Sequence, residues 1–284
     1  MSYLTPTTLD AALGALSGRD TEAPVSVIAG GTDWFPAQGE RAYNGTLLDV
    51  TRVEGMRGVS AVGTGWRIGG ATTWSDILHA DLPPAFDGLK LAAREVGSVQ
   101  IQNAGTVAGN ICNASPAADG VPPLLSLDAE VELTSTRGVR RLVLAEFITG
   151  VRKTARAADE IVTALYIPAL SAGARGGFTK IGGRKYLVIS VAMVGAVLTL
   201  SGGRIATARI TVGSASPVAL RMGDLENALV GADLAEALER VTPERLAALS
   251  PISDIRGSAE FRGEAVVEAI RRTLTQIMKG QAHG

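Results

Sequence analysis

Residues 103–119 read NAGTVAGNICNASPAAD, the most distinctive segment of the chain. Small residues dominate it, and Thr106, Asn110 and Ser115 can donate hydrogen bonds to phosphate or sugar oxygens, while Asp119 can accept from sugar hydroxyls. We predict a long loop at 105–119, and a loop of this length without regular structure is uncommon unless it is functional. The segment therefore favours ligand binding. The alternative is a structural loop whose Asn and Ser side chains satisfy their own backbone.

A second glycine segment reads AGGTD and directly follows the predicted strand Val25–Ile28. Glycine permits positive φ and lets a ligand approach the main chain closely, and successive N–H groups can form an anion-binding concavity. Such a site suits a dinucleotide pyrophosphate, although the segment is neither a Gly-x-Gly-x-x-Gly fingerprint nor a P-loop. An ordinary strand-to-loop turn is the alternative. The segment comprises Ala29, Gly30, Gly31, Thr32 and Asp33.

Apolar periodicity along the chain predicts an α+β fold made of three units. Residues 1–55 form an N-terminal α/β subdomain with a first helix from Leu9 and strands at 25–28 and 46–50. Residues 56–172 form a middle α/β subdomain, and residues 173–284 form an antiparallel sheet followed by C-terminal helices. Within the last two units we predict strands at 66–69, 130–134, 141–144, 159–167, 178–180, 191–200 and 205–212.

Composition excludes several kinds of chemistry. Charges nearly cancel, with 27 Lys+Arg against 28 Asp+Glu, so nucleic acid is not an expected partner. Cys112 is the only cysteine, which excludes an intrachain disulfide and a cluster with four Cys ligands. His79 and His283 are the only histidines, so we assign neither a metal site nor a catalytic triad. We assign no catalytic residue, and a bound organic cofactor would supply any difficult chemistry.

The chain is expected to be cytoplasmic and not inserted in a membrane. Its first residues have no basic segment followed by an apolar stretch, as a signal peptide would have. The longest apolar tract, Leu187–Leu200, is shorter than the roughly 20 residues that span a bilayer.

The two glycine segments resemble the paired FAD-binding motifs of the flavin subunit in the xanthine dehydrogenase, aldehyde oxidase and carbon monoxide dehydrogenase family, the molybdenum hydroxylases. That family has an Ala-Gly-Gly-Thr/His-Asp/Ser segment, a Thr-x-Gly-Gly-Asn segment and an Ala-Ser-Pro-x-x-Asp stretch. Their counterparts here are residues 29–33, 106–110 and 114–119, in the same order. Further similarity at 159–162, 178–182 and 191–200 extends the resemblance over nearly the whole chain.

This resemblance implies FAD as the cofactor and gives roles to matching residues. The two glycine segments, including Thr106, Ala108, Gly109 and Asn110, would bind the pyrophosphate from two sides. The remaining roles fall to Ser115 and Asp119 on the ribitol or adenosine side, Ile161 and Val162 against adenine or flavin, and Lys180 near the isoalloxazine. The positive charge of Lys180 would favour reduced, anionic flavin, unless it is simply a surface lysine. Tyr186 would either stack near the flavin or cover the core.

Two positions depart from the family pattern. Ala108 stands where a glycine is usual, and its methyl group is tolerated if φ is negative. Gln102 stands where an arginine is common, which removes a charge contact. Cys112 is interpreted as a small buried residue. Arg152, Lys153 and Arg156 are interpreted as a solvated basic face, with partner docking as the alternative.

In this family a large subunit converts the substrate at a molybdenum–pterin centre, and a small subunit carries iron–sulfur clusters. The flavin subunit passes electrons between those clusters and an outer acceptor such as NAD, oxygen or a quinone-linked carrier. With one cysteine and 284 residues, this chain matches only the flavin subunit of such a complex. The molybdopterin and the clusters are then expected on partner subunits. Two alternatives stay open, a free-standing FAD-dependent oxidase and an adaptor subunit that has lost FAD.

Overall fold

The computed structural model describes residues 1–17, 24–184 and 187–280. Within them the chain folds around three sheets of three or more strands, and the mixture of helices and largely antiparallel sheets is the predicted α+β class. Each of these sheets takes its strands from one of the ranges 1–55, 56–172 and 173–284. The domain boundaries themselves stay predictions. Tyr186 and His283 lie outside the described residues.

The first unit is a small parallel sheet covered by a helix. Its strands have the order β1-β3-β2, and both pairings are parallel. Ala12 and Leu13 of the first helix pack on Leu48 and Val50, and Ile161 from the middle unit completes this core. The elements are β1 (Ser2–Leu4), α1 (Leu9–Ser17), β2 (Val25–Ile28), α2 (Trp34–Gln38) and β3 (Thr46–Asp49).

The middle unit is a five-stranded antiparallel sheet with a layer of short helices. The strand order is β4-β5-β10-β6-β7, with β10 in the centre. Its apolar residues face Trp74, Phe86 and Phe147, which are fully buried. The elements are β4 (Val59–Val62), β5 (Gly65–Gly69), α3 (Trp74–His79), α4 (Asp87–Glu95), α5 (Val99–Ala104), α6 (Val107–Asn113), α7 (Val121–Ser126), β6 (Glu130–Ser135), β7 (Gly138–Val143), α8 (Leu144–Phe147), β8 (Ile148–Gly150), β9 (Lys153–Thr154) and β10 (Ile161–Ile167).

The third unit is the predicted hairpin extended to a four-stranded antiparallel sheet of order β11-β12-β13-β14. Its long C-terminal helix buries Val266, Ile270 and Leu274 against this sheet. Phe261, in the first turn of this helix, is 47% exposed. The elements are β11 (Arg175–Ile181), β12 (Ala192–Ser201), β13 (Arg204–Gly213), β14 (Leu220–Arg221), α9 (Gly223–Leu229), α10 (Leu234–Arg240) and α11 (Ala259–Met278).

Helix α4 joins the middle unit to the third unit by direct backbone contact. A β-carbon at Gly88 would stand 2.6 Å from the carbonyl oxygen of Gly177, and one at Gly176 would stand 2.3 Å from the carbonyl oxygen of Ala85. Only glycine permits this approach. The joint places Lys180, three residues further along β11, near the end of α4.

The predicted loop at 105–119 is wrong for seven of its fifteen residues, because residues 107–113 form helix α6. The Thr106 hydroxyl caps this helix by accepting a hydrogen bond from the Gly109 amide, at 3.0 Å. Thr106 also forms a β-bridge with Thr73. Tertiary contacts of this kind override the weak helix propensity of Gly and Asn.

An ion pair between the buried Arg262 and the exposed Asp254 anchors α11. Arg262 is 3% exposed, and its Nη2 lies 2.7 Å from Asp254 Oδ1. The other terminal nitrogen donates to the carbonyl oxygens of Val191 and Ser214. The hydrogen bond from the Arg256 amide, together with the two guanidinium groups, lowers the pKa of Asp254 from 3.8 to about 2. The folded state therefore favours the ionised carboxylate.

We expect this pair to make stability depend on acid pH. The unfolded chain takes up a proton on Asp254 first, so the stabilisation is present above pH 3.8 and is lost as the pH falls toward about 2. Urea unfolding near pH 5 and near pH 3 should show a smaller pH-dependent loss for Asp254→Asn than for the parent. Asp10→Asn, at an exposed position of α1, is the control and should retain the parental loss. An equal loss in all three proteins would contradict the assignment.

No helix among the described residues is long and apolar enough to span a bilayer. The described part of the chain also contains no group of three or more His, Cys, Asp or Glu side chains placed to hold a metal ion.

Candidate functional site

The two glycine segments meet in space. A β-carbon at Gly30 would stand 1.8 Å from the carbonyl oxygen of Ala104 and 2.9 Å from the Gly105 nitrogen. One at Gly105 would stand 3.2 Å from Thr32 Oγ1. The turn after β2 therefore packs directly against the turn between α5 and α6. Gly30 and Gly105, which lie in these two turns, are 75 residues apart in sequence.

The first glycine segment has main-chain N–H groups without hydrogen-bond partners among the described residues. Gly31 has a φ of 68°, and the Phe35 ring lies on its other side, where a β-carbon would approach Cε2 to 2.5 Å. Within the described residues the amides of Gly30, Gly31 and Thr32 donate to no protein acceptor. Adjacent N–H groups in a left-handed turn form an anion-binding concavity. Asp33 follows on the exposed surface.

The second glycine segment is hydrogen-bonded to Thr72 and Trp74 on one side and borders open space at Gly109 on the other. The Trp74 amide donates to the carbonyl oxygen of Gly105 at 3.1 Å, and the Val107 amide donates to that of Thr72 at 3.0 Å. At Gly109 a β-carbon would meet only Thr106 Oγ1, at 2.9 Å, and otherwise open space. This glycine therefore leaves room above α6 for a ligand.

Ala108 and Gln102, the two departures from the family pattern, differ in their relation to the cleft described below. Ala108 lies within α6 and is not among the residues of positive φ, so its methyl group fits, and it is 4% exposed. Gln102 is buried, and its Nε2 donates to the carbonyl oxygen of Arg94 at 3.1 Å. It joins α5 to α4 and does not line the cleft described next.

A cleft of about 890 Å³ lies where the three units meet. Pockets that bind small molecules and cofactors have volumes of about 300–1,000 Å³. All the binding positions predicted from the sequence line this one cleft: Ala29, Gly30, Gly31, Thr32, Asp33, Thr106, Ala108, Gly109, Asn110, Ser115, Asp119, Ile161, Val162 and Lys180. The first unit, the middle unit and the third unit each contribute a wall.

Asn110 carries a polar atom that lacks a partner. Its Oδ1 is buried and accepts no hydrogen bond, although Asn110 lines the cleft. A buried acceptor without a donor costs about 1–3 kcal/mol. This oxygen has almost no solvent-accessible surface and faces Gly120, so a ligand in the cleft does not reach it.

Lys180 and Asp119 form a buried ion pair at the end of the cleft toward the third unit. Lys180 Nζ lies 2.7 Å from Asp119 Oδ2, and their side chains are 6% and 11% exposed. Ser190 donates to the other carboxylate oxygen at 2.9 Å. Burial raises the pKa of Asp119, and the nearby Lys180 opposes this shift. Asp119 therefore neutralises the lysine charge that we predicted to act on a ligand, so the two act there as a polar pair.

The apolar wall of the cleft comes from both the first and the middle unit. Ile161 is 1% exposed and packs with Leu48 and Val50 of the first unit. Val162 belongs to the core of the middle unit. The preceding Glu160 is also buried, and the Arg140 guanidinium lowers its pKa through a bidentate pair with bonds of 2.6 and 2.8 Å. This ion pair fixes the start of β10.

Cys112 lies on α6 facing the cleft. Burial raises the pKa of its thiol to about 11, against an opposing effect of Arg156. The thiolate is the reactive form of cysteine, and the raised pKa disfavours it near neutral pH. We predicted a buried Cys112; it is only partly buried and packs against the core of the middle unit.

Sequence reasoning missed several lining residues. Arg152 and Arg156, which we interpreted as a solvated face, line the cleft. Their position depends on a turn at 150–153 with Arg152 at a φ of 58°, and residue spacing carries no signal for it. Trp34 could have been found, because it directly follows the first glycine segment. Other missed lining residues include Val27, Val50, Trp74, Ile101, Thr154 and the exposed Leu187 and Ile189.

Comparisons with known proteins cover almost the whole chain. The FAD binding domain in molybdopterin dehydrogenase matches residues 1–170, and the CO dehydrogenase flavoprotein C-terminal domain matches residues 178–277. The chain is 32% identical to the nicotine 6-hydroxylase medium subunit of Paenarthrobacter nicotinovorans over 96% of both proteins. It is 30% identical to the nicotinate dehydrogenase FAD-subunit of Eubacterium barkeri, over 97% of this chain and 95% of that subunit.

Solved structures show the same likeness. A chain of the reconstituted CO dehydrogenase from Oligotropha carboxidovorans superposes with a TM-score of 0.86 at 26% identity, covering 98% of both chains. The CO dehydrogenase of Hydrogenophaga pseudoflava that lacks the Mo-pyranopterin moiety of its cofactor gives a TM-score of 0.86 at 25% identity. It covers 98% of this chain and 97% of that one.

Proposed function

Since this chain belongs to the family of the FAD binding domain in molybdopterin dehydrogenase, an oxidoreductase family, we propose that it is the electron-transfer subunit of a heteromeric molybdenum hydroxylase. It holds FAD in the cleft between its three units. It receives electrons from an iron–sulfur subunit, which is reduced in turn by a molybdopterin subunit that converts the substrate. It delivers them to an outer acceptor such as NAD, oxygen or a quinone-linked carrier. Cytoplasmic location stays a prediction.

The cleft is the observation that carries this proposal. Two glycine segments close on one wall, with unpaired amides on one side and open space above Gly109 on the other. These features fit a pyrophosphate, which needs close main-chain approach and N–H donors. The cleft volume of about 890 Å³ is sufficient for a dinucleotide.

We assign the residues of the cleft the following roles. Residues 29–33 and 106–110 bind the pyrophosphate from two sides, and Ile161 and Val162 form the apolar surface for a ring. Ser115, Asp119 and Lys180 hold the polar edge of the cofactor at the end of the cleft near the third unit. Because Asp119 and Lys180 neutralise each other, they orient donors and acceptors and add no net charge. When bound, FAD supplies the exchange of single electrons with clusters and of electron pairs with an acceptor.

Relatives support the assignment to a complex through their names. One relative, 27% identical, is a 6-hydroxypseudooxynicotine dehydrogenase complex subunit alpha from Paenarthrobacter nicotinovorans. Others are called medium chains of carbon monoxide dehydrogenase, in Hydrogenophaga pseudoflava and Afipia carboxidovorans. Such names are given to one component among several.

The test is reconstitution of the purified chain with FAD, followed by mixing with cluster-bearing and molybdopterin-bearing subunits expressed from neighbouring genes. We expect a visible flavin spectrum in the isolated chain, and bleaching of that spectrum by substrate only when all three subunits are present. Absence of FAD binding would favour the adaptor. Bleaching of the isolated chain by a small substrate, without partners, would favour the free-standing oxidase.

A further inference from the structure

The charged side chains that line the cleft, which include Asp33 and Glu95, differ in their pairing. Lys180 is paired with Asp119, and Glu160 is paired with Arg140. In contrast, Arg152 and Arg156 pair with no carboxylate of the described residues. Arg152 Nη1 donates to the Asn113 side chain, and Arg156 donates only to main-chain carbonyl oxygens. These two arginines are therefore available to balance negative charge on a ligand.

The structure holds Arg156 in a fixed position. Its Nη1 donates to the carbonyl oxygen of Glu160 at 2.7 Å and to that of Ala157 at 3.1 Å. Glu160 is itself fixed by Arg140 and by the Ala157 amide, which donates to its Oε2 at 2.8 Å. An arginine that is already ordered loses less entropy when it binds a ligand.

The other two nitrogens of the Arg156 guanidinium have no hydrogen-bond acceptor among the described residues. Both hydrogen bonds of Arg156 use Nη1, so Nε and Nη2 have no partner among the described residues. Arg156 is half-buried and lines the cleft. Unpaired N–H groups of a partly buried guanidinium match the oxygens of a phosphate well.

Arg156 lies beside the helix that carries the predicted pyrophosphate site. The turn that precedes Arg156 is hydrogen-bonded to the end of α6, because the Arg152 amide donates to the carbonyl oxygen of Ala114 at 2.9 Å. Arg156 and Gly109 line the same cleft. The guanidinium and the open space above Gly109 therefore border the same ligand space.

We infer that Arg156 is a further cofactor-binding residue, which donates hydrogen bonds from Nε or Nη2 to the pyrophosphate of FAD and balances its negative charge. The Arg140–Glu160 pair is the positioning pair that holds Arg156 in place. This inference rests on the proposed function, since it assumes that FAD occupies the cleft.

The test uses the full-length chain freed of cofactor and compares Arg156→Leu with Arg156→Lys. Arg272→Leu is the control, because it removes the same charge from an exposed site on α11 where Arg272 pairs only with Glu268. The dissociation constants of FAD and of riboflavin, which has no phosphate, are measured by flavin fluorescence at low and high salt. Circular dichroism and Tm report folding of each variant.

We expect Arg156→Leu to weaken FAD binding about 10- to 100-fold, as expected for a hydrogen bond to a charged group. The salt dependence of FAD binding should decrease, riboflavin binding should stay within twofold of the parent, and Arg156→Lys should recover part of the affinity. Arg272→Leu should bind FAD as the parent does.

Two results would overturn the inference. In one, Arg156→Leu binds FAD within twofold of the parent. In the other, FAD and riboflavin lose affinity by the same factor and lysine restores neither, which would mean that Arg156 only supports the carbonyl oxygens of Ala157 and Glu160. Failure of the parent protein itself to bind FAD would overturn the proposed function, and this inference with it.

Discussion

Gly109→Leu should fold like the parent and retain almost no FAD. The leucine side chain would extend into the open space above α6, where the pyrophosphate is proposed to lie. We expect FAD affinity to fall by at least about 100-fold, on the order of 3 kcal/mol, which is the upper range for forcing extra atoms into a packed contact. Flavin absorbance per protein after gel filtration measures the effect.

The fold should survive this change for two reasons. A new β-carbon at Gly109 meets only the Thr106 hydroxyl, at 2.9 Å, and a hydroxyl can rotate or shift slightly. Replacing a helical glycine also gains helix propensity of up to about 1 kcal/mol. The matched control is Gly263→Leu, at a helical glycine of α11 with nothing within 4 Å. Normal FAD content in Gly109→Leu would count against our placement of the pyrophosphate.

Gly30→Ala should have a different effect, because it should lower both stability and FAD binding. The added methyl group would stand 1.8 Å from the carbonyl oxygen of Ala104 and 2.4 Å from its carbon. Both atoms belong to the backbone and cannot rotate away. The first and second glycine segments must therefore separate.

We expect the free energy of unfolding of the cofactor-free protein to decrease by about 1–3 kcal/mol, in the range of overpacked cores. For a chain of this size, Tm falls by roughly 2–4 °C per kcal/mol. FAD affinity should fall further than stability, since separation of the segments displaces the amides on one side of the pyrophosphate. Gly14→Ala is the control, because Gly14 has nothing within 4 Å in α1; it should keep FAD binding and keep or raise Tm, since alanine is the better helix former. Parental FAD affinity in Gly30→Ala would show that contact between the segments is not needed.

These two glycines also mark what the sequence could and could not predict. Glycine beside polar residues predicted ligand contact at both segments, and the binding positions named within them line the cleft. The contact of Gly30 with Ala104 could not be predicted, because it depends on how the first unit docks on the middle unit. The binding roles themselves stay predictions until a ligand is measured.

The fold was predicted best where packing follows a simple period. The strand at 191–200 and its hairpin partner at 205–212 are confirmed within a residue or two, because continuous apolar runs and a Gly-Gly turn are strong local signals. Helices α5 and α6 were missed, since small and polar residues favour loops when no tertiary contact is known. The Asp119–Lys180 pair was missed for a related reason: its members are 61 positions apart in sequence, and charge spacing along the chain does not show such pairs.

Each of the three sheets contributes a wall of the cleft. Ligand binding there should therefore affect how fast the protein is degraded in the cell. A ligand that touches all three walls stabilises their assembly, by about 4 kcal/mol when its free concentration is a thousand times its Kd. Newly made chains that have not yet acquired the vitamin-derived cofactor would open more often and be cleaved by proteases sooner. The abundance of this subunit should therefore rise and fall with riboflavin supply, even if its gene is transcribed at a constant rate.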